Sequence, residues 1–287
     1  FIFVQFEIIN NDLYYKFFKK FYSTNSILKS LYIRKNMRIL LLGGTGYVGK
    51  AIKNELNDMG LSVFDVGTRT YPNFKIGEII DENIFKNIDY VLYLSWYFDT
   101  RDKKYSQKNI ESFQRVNDIC KKNKIKLFFI STLLASNDSK SKYNKTKAAC
   151  EEIALKSGFP VLRLGTVLLE GYKLTGTYEK VVNFVSKYKI YPRIYPNKAI
   201  YQKTNINNLK EICSSLESLE NKIYTFTKPE NLVLEDILNL KNKYFISIPL
   251  HWSMVYIPLK IFEVLKIPTR IKSDMVKSIW LSENNGK

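Results

Sequence analysis

The stretch MRILLLGGTGYVGK, residues 37–50, decides the predicted fold. Its apolar run Ile39–Leu42 is too short for a helix but long enough for a strand that is buried on both faces. A helix-compatible segment, 50–59, follows after three glycines spaced three residues apart: Gly43, Gly46 and Gly49. Glycine lets backbone amides approach a pyrophosphate closely, and a helix N-terminus presents unpaired N–H groups. Together these features favour a nucleotide site over a purely structural turn.

The composition is that of a globular protein with a strong basic bias. The chain has 287 residues, is 45% apolar and carries a formal net charge of +18. Such a charge ordinarily suggests nucleic acid or an anionic membrane as a partner. The basic residues form no long block, so we interpret the charge as a general bias towards Lys and Asn and expect no nucleic acid partner. A second interpretation is that the charge favours an anionic small-molecule substrate.

The cysteines and the single histidine argue against a metal or disulfide framework. Cys120, Cys150 and Cys213 are odd in number, far apart and outside any CxxC pattern, which suits a reducing compartment. His251 is the only histidine, so no multi-histidine metal site can be built. We predict no metal site and expect His251 to be packed or solvated.

Residues 1–36 differ from the rest of the chain. They are rich in aromatics and lysine, and Glu7 interrupts their short apolar opening, so they match neither a spanning helix nor a signal peptide. One interpretation is translated upstream sequence or a disordered extension, and the other is a basic aromatic helix on a membrane surface. We expect the folded part to begin at Met37 and to contain no integral membrane segment.

Strands and helices alternate after the glycine turn. Gly60 is predicted to cap the first helix, and no Asn-Gly hairpin signal joins consecutive strands. This alternation predicts a parallel sheet with helices on both faces. The further strands are predicted at Leu61–Val66, Tyr71–Ile76, Asp89–Leu94 and Lys126–Ile130, with helices at about 82–87 and 103–123.

The end of the second strand bears on cofactor choice. An acid at this place holds the adenosine ribose of NAD, whereas a nearby arginine accommodates the extra phosphate of NADP. Gly67 occupies the acid's position and Arg69 lies just beyond, which slightly favours NADP. Asp65 lies two residues earlier on the same strand face and keeps NAD open.

A second group of polar residues follows the fifth strand, which ends in Ser131 and Thr132. Tyr143 and Lys147 come next, four residues apart in a predicted helix that continues to about Lys156, so they share a face. An ammonium near a phenol lowers the phenol's pKa, as proton exchange near neutrality requires. Such a pair is common by chance, but its position after a strand of the predicted sheet strengthens the interpretation that it is functional.

From Met37 to Asp274 the sequence resembles the extended and atypical branch of the short-chain dehydrogenase/reductase superfamily, which holds the NAD-dependent epimerase/dehydratases. The three glycines match that branch's GxxGxxG turn, and Tyr143 and Lys147 match its YxxxK pair. Thr132, or as second choice Ser131, matches its catalytic hydroxyl. The segment PVLRLGTV, residues 160–167, resembles the strand beside the nicotinamide, and a further match is the helix asparagine, Asn109.

The resemblance implies a Rossmann-type doubly wound parallel sheet at 37–170 and a small substrate-binding part at 171–287, of which about 200–225 returns to the sheet domain. Tyr143 would exchange the proton, Thr132 would bind the substrate oxygen, and Lys147 would hold the nicotinamide ribose. Asn109 would maintain the active-site helix and a proton-relay water. The implied NAD(P)-binding residues are Gly43, Thr45, Gly46, Tyr47, Val48, Gly49, Arg69, Leu94, Lys147 and Thr166.

Several residues depart from that family's pattern. The bulky Trp96 replaces a small residue after the fourth strand, where it could line a substrate pocket or simply pack. The Tyr-Gly pair that epimerases carry after the catalytic hydroxyl is missing, and Leu133, Leu134 and Ala135 stand in its place. The segment NINNL, residues 205–209, lacks the usual aspartates but retains residues that can cap a helix. These departures favour a compact reductase or atypical member.

The expected function is that of an NAD(P)-dependent oxidoreductase or epimerase acting on a nucleotide-linked sugar in the cytoplasm. A homodimer is compatible with the sequence. The alternative is a non-catalytic dinucleotide-binding sensor or assembly protein on the same fold. Near the C-terminus, the apolar run Trp252–Leu265 predicts a packed or lid helix, with contact to a membrane or partner as the second interpretation.

Overall fold

The structure is a computed structural model that describes residues 37–68, 74–139, 141–172, 176–195, 201–232, 246–265, 267 and 273. The extension at 1–36 lies outside these ranges. The strands are β1 (Arg38–Leu42), β2 (Ser62–Val66), β3 (Tyr90–Tyr93), β4 (Lys126–Thr132), β5 (Val161–Leu164), β6 (Thr166–Val167), β7 (Ile190–Tyr195), β8 (Tyr201–Thr204), β9 (Ile223–Phe226), β10 (Lys228–Leu232) and β11 (Ile246–His251). The α-helices are α1 (Tyr47–Asp58), α2 (Tyr105–Lys122), α3 (Lys142–Lys156), α4 (Gly176–Tyr188), α5 (Ile206–Ser215) and α6 (Trp252–Val264), and a 3₁₀ turn spans Glu82–Phe85.

Six strands form one parallel sheet in the order β2-β1-β3-β4-β5-β9. The chain leaves β1 for β2 on one side and then crosses to β3 on the other, so the direction of winding changes beside β1. Leu42 lies opposite Val66 and Tyr93, which brings the carboxyl ends of these three strands level. Ligands bind at such a switch point in open α/β sheets. The predicted Rossmann-type fold is confirmed.

The sheet is buried on both faces, as the uninterrupted apolar run of β1 predicts. Leu40 and Leu42 face one core, which contains side chains of α2 and α3. Ile39 and Leu41 face the opposite core, which contains side chains of α1 and α5. All four residues are fully buried, because successive side chains of a strand point to opposite faces and helices cover both.

Two smaller sheets follow the main one. Strands β10, β8 and β6 form one, and β11 pairs in parallel with β7 in the other. Thr204 links the first of these to the main sheet, because its Oγ1 accepts from Gly165 N at 2.8 Å and donates to Phe226 O at 2.7 Å. A Cβ on Gly165 would lie 2.0 Å from Gln202 O, so this crossing requires glycine.

Local signals at two helix ends are confirmed. Gly60 follows α1 with a φ of +75°, and its N–H donates to Asn57 O at 2.8 Å. At the start of α5, Asn205 accepts from Asn208 N and Asn208 accepts from Asn205 N, which is a reciprocal capping box. The asparagines therefore retain the capping that the missing aspartates would otherwise supply.

The strand predicted at Tyr71–Ile76 is not found in the part of this segment that the structure describes. Residues 71–73 lie outside the described ranges, and residues 74–76 form coil and turn. Phe74 is buried and packs edge-to-face on Tyr93 at 6.0 Å, while its N–H donates to Gly67 O at 3.3 Å. The apolar residue that suggested a strand instead fills the core beside β3.

A substitution at Phe113 on α2 tests the packing of the core between the sheet and the helices α2 and α3. It is fully buried, with ring centroids 4.5 Å from Phe129 and 5.0 Å from Tyr93. Phe113→Ala is expected to lower the free energy of unfolding by about 3–5 kcal/mol, because it removes a large side chain and leaves a cavity. Urea denaturation measures the change. Phe98→Ala is the control, since Phe98 is 71% exposed and should shift stability by less than about 0.5 kcal/mol. Equal losses would contradict the assigned packing.

Candidate functional site

The glycine turn lies between the end of β1 and the start of α1. Gly43 has a φ of +97°, and a Cβ there would lie 2.8 Å from Ser95 N. A Cβ on Gly49 would lie 2.3 Å from Gly43 O, so both positions require glycine for close backbone contact. A Cβ on Gly46 would meet only Gly43 O, at 3.3 Å. The turn therefore packs tightly against the protein on two sides and leaves space beside Gly46.

Gly46 is also the N-cap of α1, and among the described residues no side chain caps this helix end. The first N–H groups of a helix lack intrahelical partners and carry the positive end of the helix dipole. The backbone at Gly46 therefore has the geometry and the electrostatics that suit a phosphate group.

Asp65 near the end of β2 has a carboxylate oxygen that can accept a further hydrogen bond. Its Oδ2 accepts from Lys53 Nζ at 3.0 Å, and its Oδ1 is buried without a hydrogen-bond partner among the described residues. A Cβ on Gly44 would lie 2.6 Å from Oδ1, so this oxygen lies directly against the glycine turn. A buried oxygen without a partner is costly, and a ligand hydroxyl placed here would satisfy it.

Of the other residues that the resemblance assigned to NAD(P), Thr45, Tyr47 and Val48 belong to the turn and the start of α1, and Leu94 directly follows β3. Tyr47 Oη accepts from Leu169 N at 3.0 Å, and burial raises the pKa of Tyr47. Thr166 on β6 lies opposite Lys203. Arg69 lies outside the described residues. Thr45 Oγ1 lies 2.9 Å from where a Cβ of Gly67 would be. Two others are partly buried against the core of α1 and α5: Val48 and Leu94.

Tyr143 and Lys147 lie on α3, as the sequence predicts. Lys147 is 4% exposed, and its Nζ donates to Ile130 O at 2.8 Å. The same nitrogen lies 3.9 Å from the ring centroid of Trp96 and 4.7 Å from that of Phe129. Burial lowers the pKa of Lys147 to about 7, although nearby acidic groups oppose the shift. The amine is thus held by a carbonyl and two aromatic rings.

The expected lowering of the Tyr143 pKa is not found in this arrangement. Burial raises the pKa of Tyr143 above its ordinary value, and Tyr105 adds to the shift. The Nζ of Lys147 donates to the backbone rather than to the phenol, so its charge does not stabilise a phenolate. Acid/base work by Tyr143 therefore requires a further polar group near its hydroxyl.

Trp96 contacts both of these residues. Its ring packs edge-to-face on Tyr143 at 5.7 Å and covers the amine of Lys147. Its Nε1 donates to Tyr105 Oη at 2.8 Å, and both Trp96 and Tyr105 are buried. The bulky residue that departs from the family pattern therefore packs over the candidate catalytic pair. Sequence reasoning singled out Trp96 but missed Tyr105, which begins α2 without any distinctive motif.

Asn109 positions the segment that carries Trp96. It is fully buried on α2, and its Oδ1 accepts from Tyr97 N at 2.9 Å. Its Nδ2 donates to Tyr97 O and Tyr105 O, both at 3.0 Å. The asparagine therefore joins the residues after β3 to the first turn of α2, because one amide satisfies three backbone groups.

The two candidate hydroxyls lie at the carboxyl end of β4. Thr132 Oγ1 accepts from Leu134 N at 3.4 Å. Ser131 Oγ is buried and has no hydrogen-bond partner among the described residues. Ser131 shares a strand face with Phe129, whose ring lies beside Lys147, whereas Thr132 has the opposite orientation. The structure thus gives the second-choice hydroxyl a position on the Lys147 side.

An ion pair that sequence reasoning missed supports this site. Arg163 on β5 donates from Nε and Nη2 to the two carboxylate oxygens of Glu151 on α3, at 2.9 and 2.6 Å. Its Nη2 also donates to Ala135 O at 3.3 Å, in the segment after Thr132. Glu151 raises the pKa of Arg163. The available signal was an arginine inside an otherwise apolar strand, since buried arginine needs a partner.

The fold is that of NAD-dependent epimerases and dehydratases of the extended short-chain dehydrogenase/reductase family. The chain is similar to MoeE5, solved in complex with UDP-glucuronic acid and NAD, with a TM-score of 0.62 and 15% identity over 75% of this chain and 85% of that one. It is similar to the Helicobacter pylori ADP-L-glycero-D-manno-heptose-6-epimerase, with a TM-score of 0.62 and 14% identity over 76% and 86% of the two chains.

A third similar structure is the Thermus thermophilus UDP-glucose 4-epimerase in complex with NAD, with a TM-score of 0.57 and 19% identity over 75% and 86% of the chains. No protein-family model and no curated protein sequence matches the chain. At these identities the likeness establishes the fold and not the chemistry.

The buried amine of Lys147 makes stability depend on pH. Its pKa is about 7 when folded and close to 10.5 when unfolded, so between these values the unfolded chain binds more protons. The free energy of unfolding should therefore rise from pH 7 to pH 9, by up to about 1.4 kcal/mol per pH unit. Urea denaturation of wild type and Lys147→Met at both pH values measures it. We expect the wild type to gain roughly 2 kcal/mol more than the variant; parallel pH dependences would contradict the buried neutral amine.

Proposed function

We propose that the chain is an NAD(P)-dependent oxidoreductase or epimerase that acts on a nucleotide-linked sugar. The observation that carries the proposal is that one parallel sheet and its helices position both the glycine turn, which follows β1, and the Tyr143–Lys147 pair, which lies on α3. The turn follows β1, whose end is level with that of β3, and Trp96 after β3 contacts both members of the pair. The similar structures name NAD and nucleotide sugars as the ligands of those proteins.

The residues around the turn fit a dinucleotide. The uncapped N-terminus of α1 at Gly46 would hold the pyrophosphate, and Oδ1 of Asp65 would accept from an adenosine ribose hydroxyl. Lys147 would hold the nicotinamide ribose. Its amine is 4% exposed beneath Trp96, so contact with a ribose requires the indole ring to move.

The bound nicotinamide would supply hydride transfer to or from a substrate carbon. Tyr143 would exchange a proton with the substrate oxygen, and Thr132 or Ser131 would hold that oxygen by a hydrogen bond. Burial disfavours the Tyr143 phenolate, so in this arrangement the tyrosine is a proton donor. Asn109 keeps the segment after β3 in place, and the Arg163–Glu151 pair fixes α3 relative to the segment after Thr132.

The choice between NAD and NADP depends on opposing features. Gly67 and Arg69 favour NADP on sequence grounds, although Arg69 lies outside the described residues. The Asp65 carboxylate lies against the glycine turn, and its negative charge would repel a ribose phosphate. We therefore propose NAD(P) and expect Asp65→Asn to shift preference towards NADP if the carboxylate contacts the ribose.

A non-catalytic dinucleotide-binding protein is the second candidate. Trp96 favours it, because the ring covers Lys147 and packs on Tyr143 where a substrate would approach. Cytoplasmic location and a homodimer complete the leading proposal. The three cysteines are buried and free, which supports a reducing compartment.

Tyr143→Phe separates the two candidates. Removing one hydroxyl should abolish turnover of a nucleotide sugar and leave dinucleotide affinity within about twofold, because the phenol acts on the substrate and not on the pyrophosphate. The measurements are nicotinamide absorbance during turnover and titration calorimetry with NAD and NADP. Tyr188→Phe is the matched control, since Tyr188 is exposed and distant in sequence from the pair. Undiminished turnover in the Tyr143 variant would refute its role.

Gly46→Val tests the cofactor site. Gly46 has φ −75° and ψ 171°, a backbone that valine tolerates, and its Cβ would lie 3.3 Å from Gly43 O. The variant should therefore fold yet lose dinucleotide affinity by at least about tenfold, since the side chain occupies the approach of the pyrophosphate. Phe64→Ala, at an exposed position of β2, is the control. Wild-type affinity in the valine variant would contradict the assigned turn.

A further inference from the structure

Large apolar side chains are exposed chiefly in one part of the described structure, formed by α4, β7, β11 and α6. Helix α4 contacts β7, β7 pairs with β11, and α6 follows β11 directly. Folded proteins rarely leave such a concentration in water without a use for it. The exposed members are Phe184, Tyr188, Ile246, Ile248, Met254, Ile257, Ile261, Phe262, Val264, Leu265 and Ile267.

Helix α6 carries the most continuous part of this surface. None of its residues is buried, although the helix is mostly apolar. Met254, Ile257, Ile261 and Leu265 follow one another at spacings of three, four and four residues, so they lie on one side of the helix. These four residues, which we call the apolar face, are 50–63% exposed. Trp252, Tyr256 and Leu259 lie on the opposite side of the helix and are half-buried.

The exposed charged side chains in this part of the described structure have one sign. The exposed charged side chains described in this part of the structure are basic: Lys187, Lys189, Arg193 and Lys260. Its acids are partly buried. Glu179 is half-buried. The side chain of Glu263 is 16% exposed, accepts from Ser273 and lies 3.8 Å from Lys260 Nζ, so Lys260 is partly neutralised. An apolar face in a part of the structure whose exposed charges are basic is complementary to a surface that is apolar inside and anionic outside.

We propose that this face binds the surface of an anionic lipid bilayer, with α6 lying in the plane of the interface. The helix has 13 residues, and no described helix is long and apolar enough to cross a membrane. A second copy of the chain is the less suitable occupant of this face, because the exposed charged side chains described in this part of each copy are basic and would repel each other there. The proposal does not depend on the proposed enzymatic function.

Vesicle cosedimentation of the whole chain tests the proposal. The wild type should bind phosphatidylcholine vesicles that contain about one-third phosphatidylserine. Its affinity for vesicles of phosphatidylcholine alone should be lower by at least about fivefold. Raising the salt from about 0.05 M to about 0.5 M should weaken binding. Ile257→Asp combined with Ile261→Asp should reduce it at least about tenfold, because charge replaces apolar contact. Both positions are exposed, so circular dichroism should be unchanged.

Ile79→Asp is the matched control, because Ile79 is 95% exposed but lies between β2 and the 3₁₀ turn. It should bind vesicles as the wild type does. The proposal is overturned if the wild type stays in the supernatant with anionic vesicles, or if the double variant binds equally well. Light scattering adds a further outcome: a vesicle-free dimer that the double variant abolishes, without vesicle binding by either protein, would assign the face to a second copy.

Discussion

The close backbone contact between the glycine turn and the end of β3 is the constraint on which the site depends. The turn lies at the carboxyl edge of the sheet because it follows β1. Gly43 abuts Ser95 N and Gly49 abuts Gly43 O, so the turn is held closely against the segment that follows β3. That contact orients the first turn of α1, with its unpaired N–H groups, beside Gly46. It also fixes the segment after β3, which continues into Trp96.

A connected set of polar and aromatic contacts extends from this segment to α3. Asn109 holds Tyr97 and Tyr105, Tyr105 accepts from Trp96, and Trp96 covers Lys147. Burial of this set shifts both candidate catalytic groups towards their neutral forms, because a buried charge is poorly solvated. In this arrangement the indole of Trp96 covers the amine of Lys147, which is 4% exposed.

The part of the structure formed by α4, β7, β11 and α6 differs from the main sheet in the exposure of its apolar side chains. The main sheet is enclosed by helices on both faces, whereas α6 and β11 leave apolar side chains in contact with water. The exposed charged side chains described on α4, β7, β11 and α6 and between α4 and β7 are basic, and the acids there are partly buried. The same chain thus combines a closed parallel-sheet domain with a surface suited to an interface.

The sequence by itself determined the parallel sheet and the glycine turn, because an uninterrupted apolar run, spaced glycines and alternating strands are local signals. It also determined that Tyr143 and Lys147 share a helix face, since helical spacing alone decides this. Only the tertiary structure decided that Lys147 bonds to Ile130 O under Trp96, that Arg163 pairs with Glu151 and that Phe74 packs in the core outside any strand. These depend on which distant residues meet across elements, and spacing along the chain carries no information about that.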